Sequence, residues 1–151
     1  MPRVRIVPTM TPPLLYHLNM QSSKQPLLGT PGAAGYDMFS CHPVVISPGT
    51  RELIDTGVSV AIPDGFYGQL APRSSLALKG VDVKAGVIDS DYRGSIKVLL
   101  HNYSYNDYTV QPGDKIAQLL ILPVAHPELI QETLELTLTK RGDKGFGSTG
   151  R

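Results

Sequence analysis

From residue 44 onward the chain alternates short apolar runs with turn signals. The turn signals are Ser47-Pro48-Gly49, Pro63-Asp64-Gly65 and Gln111-Pro112-Gly113. Many short strands separated by such turns are typical of all-β sandwiches and barrels. Only residues 74–79 indicate a helix, of barely more than one turn. We predict strands at residues 53–62, 66–71, 96–100 and 116–122, and at the alternating Leu134, Leu136 and Leu138.

The N-terminal part is less regular. A first strand is predicted at residues 4–7, and residues 8–33 are rich in Pro, Gly, Ser and Gln, which predicts an irregular connection. A chain of 151 residues is expected to form one domain that buries about 68–70% of its unfolded surface. It needs neither disulfides nor a structural metal to fold.

Composition excludes several function classes. With 14 basic and 13 acidic residues the net charge is +1, so nothing indicates a surface for long nucleic acids. Cys41 is the single cysteine, which favours a reducing intracellular setting. The four histidines show no metal-ligand spacing. No apolar run is long enough to span a bilayer and no signal core is present, so we expect a soluble protein that does not bind membranes and is not secreted.

Residues 86–94, Gly-Val-Ile-Asp-Ser-Asp-Tyr-Arg-Gly, are the most informative segment. Apolar residues at 81–88 and alternating ones at 96–100 predict a β-hairpin around them. The hairpin end would hold Asp89, Asp91, Tyr92 and Arg93 in fixed relative positions, as an active site requires. The alternative is an ordinary polar loop, because Asp, Ser and Gly are common turn formers.

The C-terminal segment 141–150, Arg-Gly-Asp-Lys-Gly-Phe-Gly-Ser-Thr-Gly, is the second candidate. Its glycines, Gly147 among them, allow consecutive backbone N–H groups to cradle an anion. Arg141 adds positive charge and Ser148 a hydroxyl, while Phe146 on a Gly-rich arm suits stacking on a nucleobase. The alternative is a disordered tail. The segment does not match the phosphate loop of Walker-type nucleotidases, because no Lys precedes Ser148.

Three smaller motifs carry polar groups at strand ends. Arg73, Ser74 and Ser75 follow a strand, and a helix beginning there would direct free N–H groups at an anion, although a plain Ser N-cap is the alternative. Gln118 lies within an apolar strand, where it needs a hydrogen-bond partner unless it faces solvent. Asp37 follows small residues and is suited to hold waters of a bound Mg²⁺, or simply begins a strand.

Together these five motifs resemble those of the trimeric deoxyuridine triphosphate nucleotidohydrolases, the dUTPases. The resemblance runs from residue 33 to residue 150 and is most specific in the 86–94 and 141–150 segments. Met38 stands where Leu is frequent and Ser75 where Gly is frequent, and neither change removes a group that the chemistry needs. The resemblance implies a jelly-roll-like β-barrel over residues 1–138 and a flexible C-terminal arm over residues 139–151.

The resemblance also implies hydrolysis of dUTP to dUMP and pyrophosphate, which limits uracil in DNA and supplies dUMP for thymidylate synthesis. Asp89 would be the general base that activates water, since an aspartate is ionised at neutral pH. The ring of Tyr92 would lie against the deoxyribose and exclude a 2′-hydroxyl. Backbone groups of Gly86, Val87 and Lys97 would pair with the uracil edge.

Attack is expected at the α-phosphorus, where preorganised donors must meet the phosphoryl charge. Ser74 would reach the leaving side of the α–β bridge, Arg73 and Gln118 the phosphate chain, and Ser75 would offer its backbone N–H. Mg²⁺ would be held mainly by phosphate oxygens and waters, with Asp37 acting through water.

The C-terminal arm would complete the site. Arg141 and Ser148 would close over the γ-phosphate while Phe146 covers the base, with Gly147 also contacting substrate. The resemblance further implies a homotrimer whose active sites combine residues of different subunits.

Two other hypotheses remain. A dCTP deaminase relative would share the barrel, but its chemistry requires a Glu on the strand after the hairpin, and residues 96–100 contain no carboxylate. A catalytically inactive interaction module would be free to lose Asp89 or the arm, and both are intact.

Overall fold

The computed structural model describes residues 10–147 and 150, and this part of the chain is almost entirely β-structure. The predicted all-β fold is therefore confirmed, as is its short helix, α1 (Ser74–Leu78). The strands are β1 (Leu15–Leu18), β2 (Leu27–Leu28), β3 (Tyr36–Phe39), β4 (Val44–Ile46), β5 (Arg51–Asp55), β6 (Val58–Ala61), β7 (Phe66–Ala71), β8 (Val81–Lys84), β9 (Val87–Ile88), β10 (Lys97–Asn102), β11 (Tyr108–Val110) and β12 (Lys115–Pro123).

All strand pairs in the described residues are antiparallel. The largest sheet has the order β2-β3-β12-β7-β9, and a second has the order β5-β10-β8. The pairs β1-β6 and β11-β4 complete the fold. Since β7 and β9 belong to one sheet and β8 and β10 to another, the segment from β7 to β10 joins the two sheets that carry the candidate site.

Alternating burial along the strands builds one core. In β10, Val98 and Leu100 are fully buried while Lys97 is exposed, which is the period of two expected of a half-buried strand. Met38 and Leu119 join the same core from β3 and β12. Full burial of such a side chain stabilises the fold by about 1.5–3 kcal/mol.

The single strand predicted at residues 53–62 is wrong in one respect, because it is two strands, β5 and β6. The chain turns between them at Gly57, whose φ is +66°. A side chain at residue 57 would collide with the Ser23 hydroxyl, so only glycine fits there. Buried Thr56 donates its hydroxyl to the carbonyl of Ile96 at 2.7 Å, which fixes this corner against the chain that leads into β10.

The predicted irregular connection at residues 8–33 contains two strands, β1 and β2. β1 pairs with β6 in the register Leu15↔Ala61 to Leu18↔Val58, and β2 pairs with β3. The prediction rested on composition, and the proline and glycine residues between these short strands gave the segment the composition of a loop. The strand predicted at residues 4–7 lies outside the described residues.

The strand predicted from Leu134, Leu136 and Leu138 is wrong for the structure described here. These residues belong to no strand, and all three side chains are exposed. An alternating pattern forms a strand only where another strand offers backbone partners, and no described strand pairs with this segment. The last strand, β12, ends at Pro123.

The one helix in the described residues has 5 residues, too few for a helix that crosses a bilayer.

Candidate active site

The predicted hairpin forms only in part, because its incoming strand is broken. β8 pairs with β10 up to Leu99↔Lys84, as predicted. The chain then kinks through Ala85 at φ 54° and Gly86 at φ 95°, and β9 pairs with β7 instead. A Cβ at residue 86 would lie 2.9 Å from the carbonyl oxygen of Leu70, so the kink requires glycine both for its φ and for this close approach.

The kink separates β9 from β10 and leaves a small cavity between them. Its volume is about 170 Å³, and its walls are Val87, Ile88, Asp89, Tyr92 and Lys97. β9 is the edge of its sheet, and Lys97 and Val98 lie beyond the last residue pair of β8 with β10. Two backbone edges without strand partners among the described residues therefore face one cavity, and each offers peptide N–H and C=O groups to a planar ligand.

The turn between β9 and β10 is held by its own hydrogen bonds. The Tyr92 N–H donates to the Asp89 carbonyl at 3.1 Å, and the Tyr92 hydroxyl donates to the Ser95 carbonyl at 3.1 Å. The Tyr92 ring lies so close to Gly94 that any side chain at residue 94 would overlap it. Arg93 donates to the Ser90 carbonyl at 2.7 Å and thus braces the turn.

Asp89 stands at the junction of two cavities. Besides the small cavity it lines a neighbouring one of about 750 Å³, together with Tyr67, Asp91 and His126. The Asp89 side chain is exposed, so water reaches its carboxylate freely. A carboxylate at the mouth of a small cavity and open to solvent is placed to orient a water molecule toward a ligand bound in that cavity.

A second cluster of polar side chains forms where β3, β7 and β12 lie side by side. Gln118 on β12 is opposite Asp37 on β3 and Ala71 on β7. Arg73 Nε lies 3.6 Å from Asp37 Oδ1, and Lys115 Nζ lies 3.5 Å from Asp37 Oδ2. One carboxylate thus faces two cations, so this cluster carries net positive charge and is suited to an anionic ligand.

Gln118 has the hydrogen-bond partner that its position demanded. Its Nε2 donates to the Pro72 carbonyl at 3.0 Å, which ties β12 to the segment that leads into α1. A Cβ on Gly35 would come within 2.9 Å of Gln118 Oε1, so the glycine lets β3 approach this amide. The Gln118 oxygen and its second N–H remain available to a ligand.

The segment at residues 73–75 forms a helix start without a serine cap. Arg73 is the N-cap residue of α1, and no side chain caps the helix, so the N-cap role considered for serine is wrong. Ser74 and Ser75 are the first two helical residues, are exposed, and carry N–H groups without intrahelical partners. Arg73 and Ser75 line a cavity of about 440 Å³ together with Lys115.

Two charged residues at these sites were missed from sequence. Lys115 lies within the predicted motif around Gln118, and its contact with Asp37 depends on a bulge between Lys115 and Ala117 that a sequence pattern does not show. Asp55, at the end of β5, accepts hydrogen bonds from the Ser95 hydroxyl and, at 2.8 Å, from the Gly57 N–H. A polar residue just before the Thr56-Gly57 turn was the available signal.

Asp55 has a shifted pKa. Burial alone would raise it, but the hydrogen bonds from Ser95 and Gly57 and the positive charges of Lys97 and His42 outweigh burial. The pKa of Asp55 is therefore lowered below its ordinary value, and the carboxylate is ionised at neutral pH.

The donor set for a metal is sparse. No group of three or more His, Cys, Asp or Glu side chains comes together in residues 10–147 or at residue 150. Asp37 is the carboxylate nearest the cationic cluster, and its side chain is 18% exposed. This fits Mg²⁺, which commonly uses one or two carboxylates and completes its shell with water and substrate phosphates.

The C-terminal segment is described as far as Gly147 and again at Gly150, whereas Ser148 lies outside the described residues. Its hydrogen bonds in the described part are local: Arg141 Nε donates to the Lys144 carbonyl at 2.9 Å, and the Lys144 N–H donates to the Arg141 carbonyl at 3.3 Å. Phe146 has a positive φ of 53° and is fully exposed. The segment presents an aromatic ring that no described residue covers.

Within one chain the two halves of the candidate site are far apart. The register Gly68↔Ile88 places Asp89 opposite Tyr67, whereas Gln118 pairs with Ala71, four residues further along β7. The separation is roughly 13 Å along the strands and roughly 10 Å across them. The structure thus groups Asp37, Arg73, Ser75 and Gln118, and separately Val87, Asp89, Tyr92 and Lys97.

Comparisons with known proteins agree on one family. A profile of the dUTPase family matches residues 21–150. The deoxyuridine 5′-triphosphate nucleotidohydrolase of Monkeypox virus is 48% identical over 138 residues, which cover 91% of this chain and 91% of that protein. The protein of the same name from Paramecium bursaria Chlorella virus 1 is also 48% identical and is covered to 97%.

The fold also resembles those of solved dUTPase structures. The Staphylococcus bacteriophage 80alpha dUTPase with dUPNHPP superimposes with a TM-score of 0.86 at 30% identity, over 93% of this chain and 100% of that one. A mutant dUTPase from phage phi11 of S. aureus that coordinates a structural Mg(II) ion has a TM-score of 0.78 at 29% identity, over 83% of this chain and 99% of that one.

Proposed function

This chain belongs to the dUTPase family and is a hydrolase of dUTP, and from this premise we propose that an Asp89-activated water attacks the α-phosphorus and yields dUMP and pyrophosphate. The observation that carries the proposal is the cavity between β9 and β10, where two free backbone edges, a carboxylate and an aromatic ring converge.

Uracil is recognised by backbone groups. The free edges at Val87 and Lys97 line the small cavity. Together with the adjacent Gly86, whose carbonyl already accepts from the Leu70 N–H, they pair with the donor and acceptor groups of the base, in effect adding it to the ladder. A cavity of about 170 Å³ is of the size that one pyrimidine base needs, and rejection of thymine would depend on a close wall beside the 5-position of the base. Cytosine presents an amino group where uracil presents a carbonyl, which leaves a backbone partner unsatisfied.

Sugar selectivity resides in Tyr92. Tyr92 is 44% exposed and lines the small cavity, and its ring is held over Gly94 by the hydrogen bond to Ser95. A deoxyribose fits against this ring, whereas the 2′-hydroxyl of a ribose would clash with it. The residue thus excludes ribonucleotides by shape.

Asp89 acts as the general base. It takes a proton from the attacking water, whose access from the larger cavity is open. A positioned general base contributes about 10²–10⁴-fold to such a reaction.

The cationic cluster binds the phosphate chain. Arg73 and Gln118 contact the phosphates, Ser74 reaches the leaving side of the α–β bridge, and Ser75 donates its backbone N–H. Support comes from the net positive charge around Asp37 and from the free N–H groups at the start of α1. Preorganised donors of this kind supply most of the stabilisation in phosphoryl transfer.

Mg²⁺ is the proposed metal, and Asp37 is the residue that would hold it, through water. Support comes from the carboxylate itself and from the structural Mg(II) ion of the phi11 relative. When bound, the ion neutralises phosphate charge. The described residues offer no cage of their own, so we expect Mg²⁺ to bind together with the nucleotide.

The C-terminal segment closes over the bound nucleotide. Arg141 and Ser148 contact the γ-phosphate, Phe146 stacks on the base, and Gly147 allows close approach. The exposure of Phe146 supports this role, because a ring that no described residue covers is available to stack on a nucleobase.

A homotrimer with composite sites accounts for the separated halves. Asp89 and Gln118 lie too far apart in one chain for both to contact the same α-phosphate, so the hairpin of one subunit is proposed to face the phosphate cluster of another. The exposed Leu134, Leu136 and Leu138 then find strand partners on a neighbouring subunit. An intracellular location, cytoplasmic or nuclear, fits the single cysteine.

A product analysis tests the proposed function. Purified protein is incubated with Mg²⁺ and, separately, dUTP, dTTP, dCTP and UTP, and the products are separated by ion-exchange chromatography. We expect efficient conversion of dUTP alone, to dUMP and pyrophosphate. Formation of dUDP and phosphate, equal rates on UTP or dTTP, or ammonia release from dCTP would contradict the proposal.

A further inference from the structure

We propose that Asp55 is a positioning residue for sugar selectivity: with Ser95 it fixes the turn that holds the Tyr92 ring against the nucleotide. The proposal rests on the role assigned above to Tyr92. Asp55 belongs to β5, outside the 86–94 segment, and does not line the small cavity.

Asp55 connects two chain segments beside the site, the β5–β6 corner and the segment that leads into β10. It is the last residue of β5 and is paired with Lys97, the first residue of β10. Its Oδ1 accepts hydrogen bonds both from the Ser95 hydroxyl and from the Gly57 N–H. One carboxylate oxygen thus ties the β5–β6 corner to Ser95, which lies two residues before the start of β10.

The neighbouring residue, Ile96, makes this connection rigid. Ile96 is fully buried, its N–H donates to the Val58 carbonyl at 2.8 Å, and its carbonyl accepts from the Thr56 N–H at 3.0 Å and the Thr56 hydroxyl at 2.7 Å. The end of the turn is therefore fixed at Ile96, and Ser95 is the turn residue directly before this fixed point.

Ser95 connects this fixed part of the turn to the Tyr92 ring. Its hydroxyl donates to Asp55, and its carbonyl accepts from the Tyr92 hydroxyl. Among the described residues this is the hydrogen bond that connects the Tyr92 side chain with the rest of the protein. The ring position is thus set by a chain of contacts that starts at Asp55.

Charge strengthens the first contact. The lowered pKa of Asp55 keeps it ionised at neutral pH, and a hydrogen bond to a carboxylate is about twice as strong as one between neutral groups. Removal of the carboxylate leaves the Ser95 hydroxyl free to turn elsewhere and lets the turn move. A ring that moves admits a ribose that the wild-type turn rejects.

The test is the ratio of kcat/KM for dUTP to kcat/KM for UTP. We expect Asp55→Ala and Ser95→Ala each to lower this ratio by roughly 3- to 10-fold, the range that one hydrogen bond supports. Tyr92→Phe, which keeps the ring but loses its bond to Ser95, should lower it similarly. Asp55→Asn keeps an acceptor oxygen for Ser95 and should restore part of the selectivity lost in Asp55→Ala.

Glu52→Ala is the matched control, because Glu52 is an exposed acid on the same strand and should leave the ratio unchanged. A merely structural role of Asp55 would lower activity on both substrates together and preserve the ratio. If Asp55→Ala does not fold, Asp55→Asn, Ser95→Ala and Tyr92→Phe still decide the question.

Tyr92→Ala separates this inference from the proposed function. If Tyr92→Ala lowers the ratio while the Asp55, Ser95 and Tyr92→Phe variants keep the wild-type value, the positioning role is refuted and the role of Tyr92 stands. If Tyr92→Ala also keeps the wild-type ratio, the role of Tyr92 fails and the positioning role fails with it.

Discussion

Asp37 illustrates how a single residue sets the charge of this site. Its carboxylate lies between Arg73 and Lys115 and neutralises one of the two cations, so the cluster stays positive without an excess of charge. A triphosphate chain that binds Arg73 competes with Asp37 for the guanidinium. If the phosphate chain binds Arg73 as proposed, Asp37 would limit phosphate affinity while it holds Arg73 in place.

Asp89→Asn tests the proposed base. Asparagine keeps the shape of the side chain but takes no proton, so we expect kcat to fall by at least about 10²–10⁴-fold while the nucleotide still binds. Single-turnover kinetics and calorimetric titration with dUTP measure the two properties. Asp64→Asn is the control, because Asp64 is an exposed acid in the turn before β7 and lines neither of the two cavities beside Asp89. Near-normal turnover would remove Asp89 from the role and make Asp91 the next candidate.

The lowered pKa of Asp55 predicts how stability depends on pH. A carboxyl group with a folded-state pKa below its unfolded value stabilises the fold above the unfolded value, and this contribution is lost as pH falls through the folded pKa. We expect wild type to exceed Asp55→Asn in free energy of unfolding at pH 7, and the difference to shrink below about pH 4. Urea denaturation at several pH values measures it. A difference that stays constant down to pH 2 would contradict the assignment.

At the scale of elements, the kink between β8 and β9 creates the proposed base site. It moves the chain from one sheet to the other and leaves the cavity of about 170 Å³ between β9 and β10. An unbroken hairpin would fill that gap with its own hydrogen bonds. The cavity therefore depends on two residues with positive φ, Ala85 and Gly86.

Gly86→Ala should damage this element. The Cβ would combine a strained φ with a contact of 2.9 Å to the Leu70 carbonyl oxygen, and we expect a loss of about 1–3 kcal/mol in stability together with weaker dUTP binding. Gly49→Ala is the control, because Gly49 has a φ of +73° but open space around its Cβ position. Thermal unfolding and calorimetry compare the two. Equal effects would mean that the contact with Leu70 has no consequence of its own.

The C-terminal segment is predicted to act as a lid. Its described hydrogen bonds are local and its side chains are exposed, so nucleotide should order it. The chain contains no tryptophan, so Phe146→Trp introduces a single tryptophan whose emission should shift when dUTP binds to an Asp89→Asn background. Deletion of residues 140–151 should leave a folded protein with little activity. Unfolding of the truncated protein would show that the segment is structural.

At the scale of the whole molecule, the separation of Asp89 from Gln118 predicts activity shared between subunits. The proposed trimer takes Asp37, Arg73 and Gln118 from one subunit, the hairpin from a second and the C-terminal segment from a third. A closed ring gives each subunit the same neighbours, so three equivalent sites arise from one interface.

Mixing two inactive variants tests this arrangement. Asp89→Asn chains and chains lacking residues 140–151 are unfolded together and reassembled at equal ratio. Random mixing should place an intact hairpin beside an intact C-terminal segment in roughly a quarter of sites, so activity should recover toward that fraction of wild type. Each variant reassembled alone is the control. No recovery in trimers that mass spectrometry shows to be mixed would mean that one chain supplies both parts.

The sequence predicted much of this fold because its patterns are local. The run from Phe66 to Ala71 is the strand β7 with the predicted bounds, and the short helix begins at the predicted Ser74. The break at Gly57 was missed because it depends on Ser23, which is distant in sequence. Likewise, Val87 does not pair within the predicted hairpin, because it pairs with Gln69 at the edge of β7.

The candidate site was less predictable than the fold. Motifs named Asp37, Arg73 and Gln118, and the structure brings these three together. Lys115 and Asp55 were missed because their contacts with Asp37 and Ser95 follow from strand register. The separation of Asp89 from the cationic cluster also follows from register, which no motif contains.

The two free backbone edges beside the small cavity have an evolutionary consequence. Peptide groups are the same whichever side chain a residue carries, so substitutions at Val87 or Lys97 leave in place the backbone groups that are proposed to pair with uracil. Base preference should therefore tolerate sequence drift at these two positions. Conversion to another base would require a shift of the chain itself, a change that single mutations seldom achieve. The proposed sugar preference rests on the position of one side chain, that of Tyr92, and should diverge first among descendants of this protein.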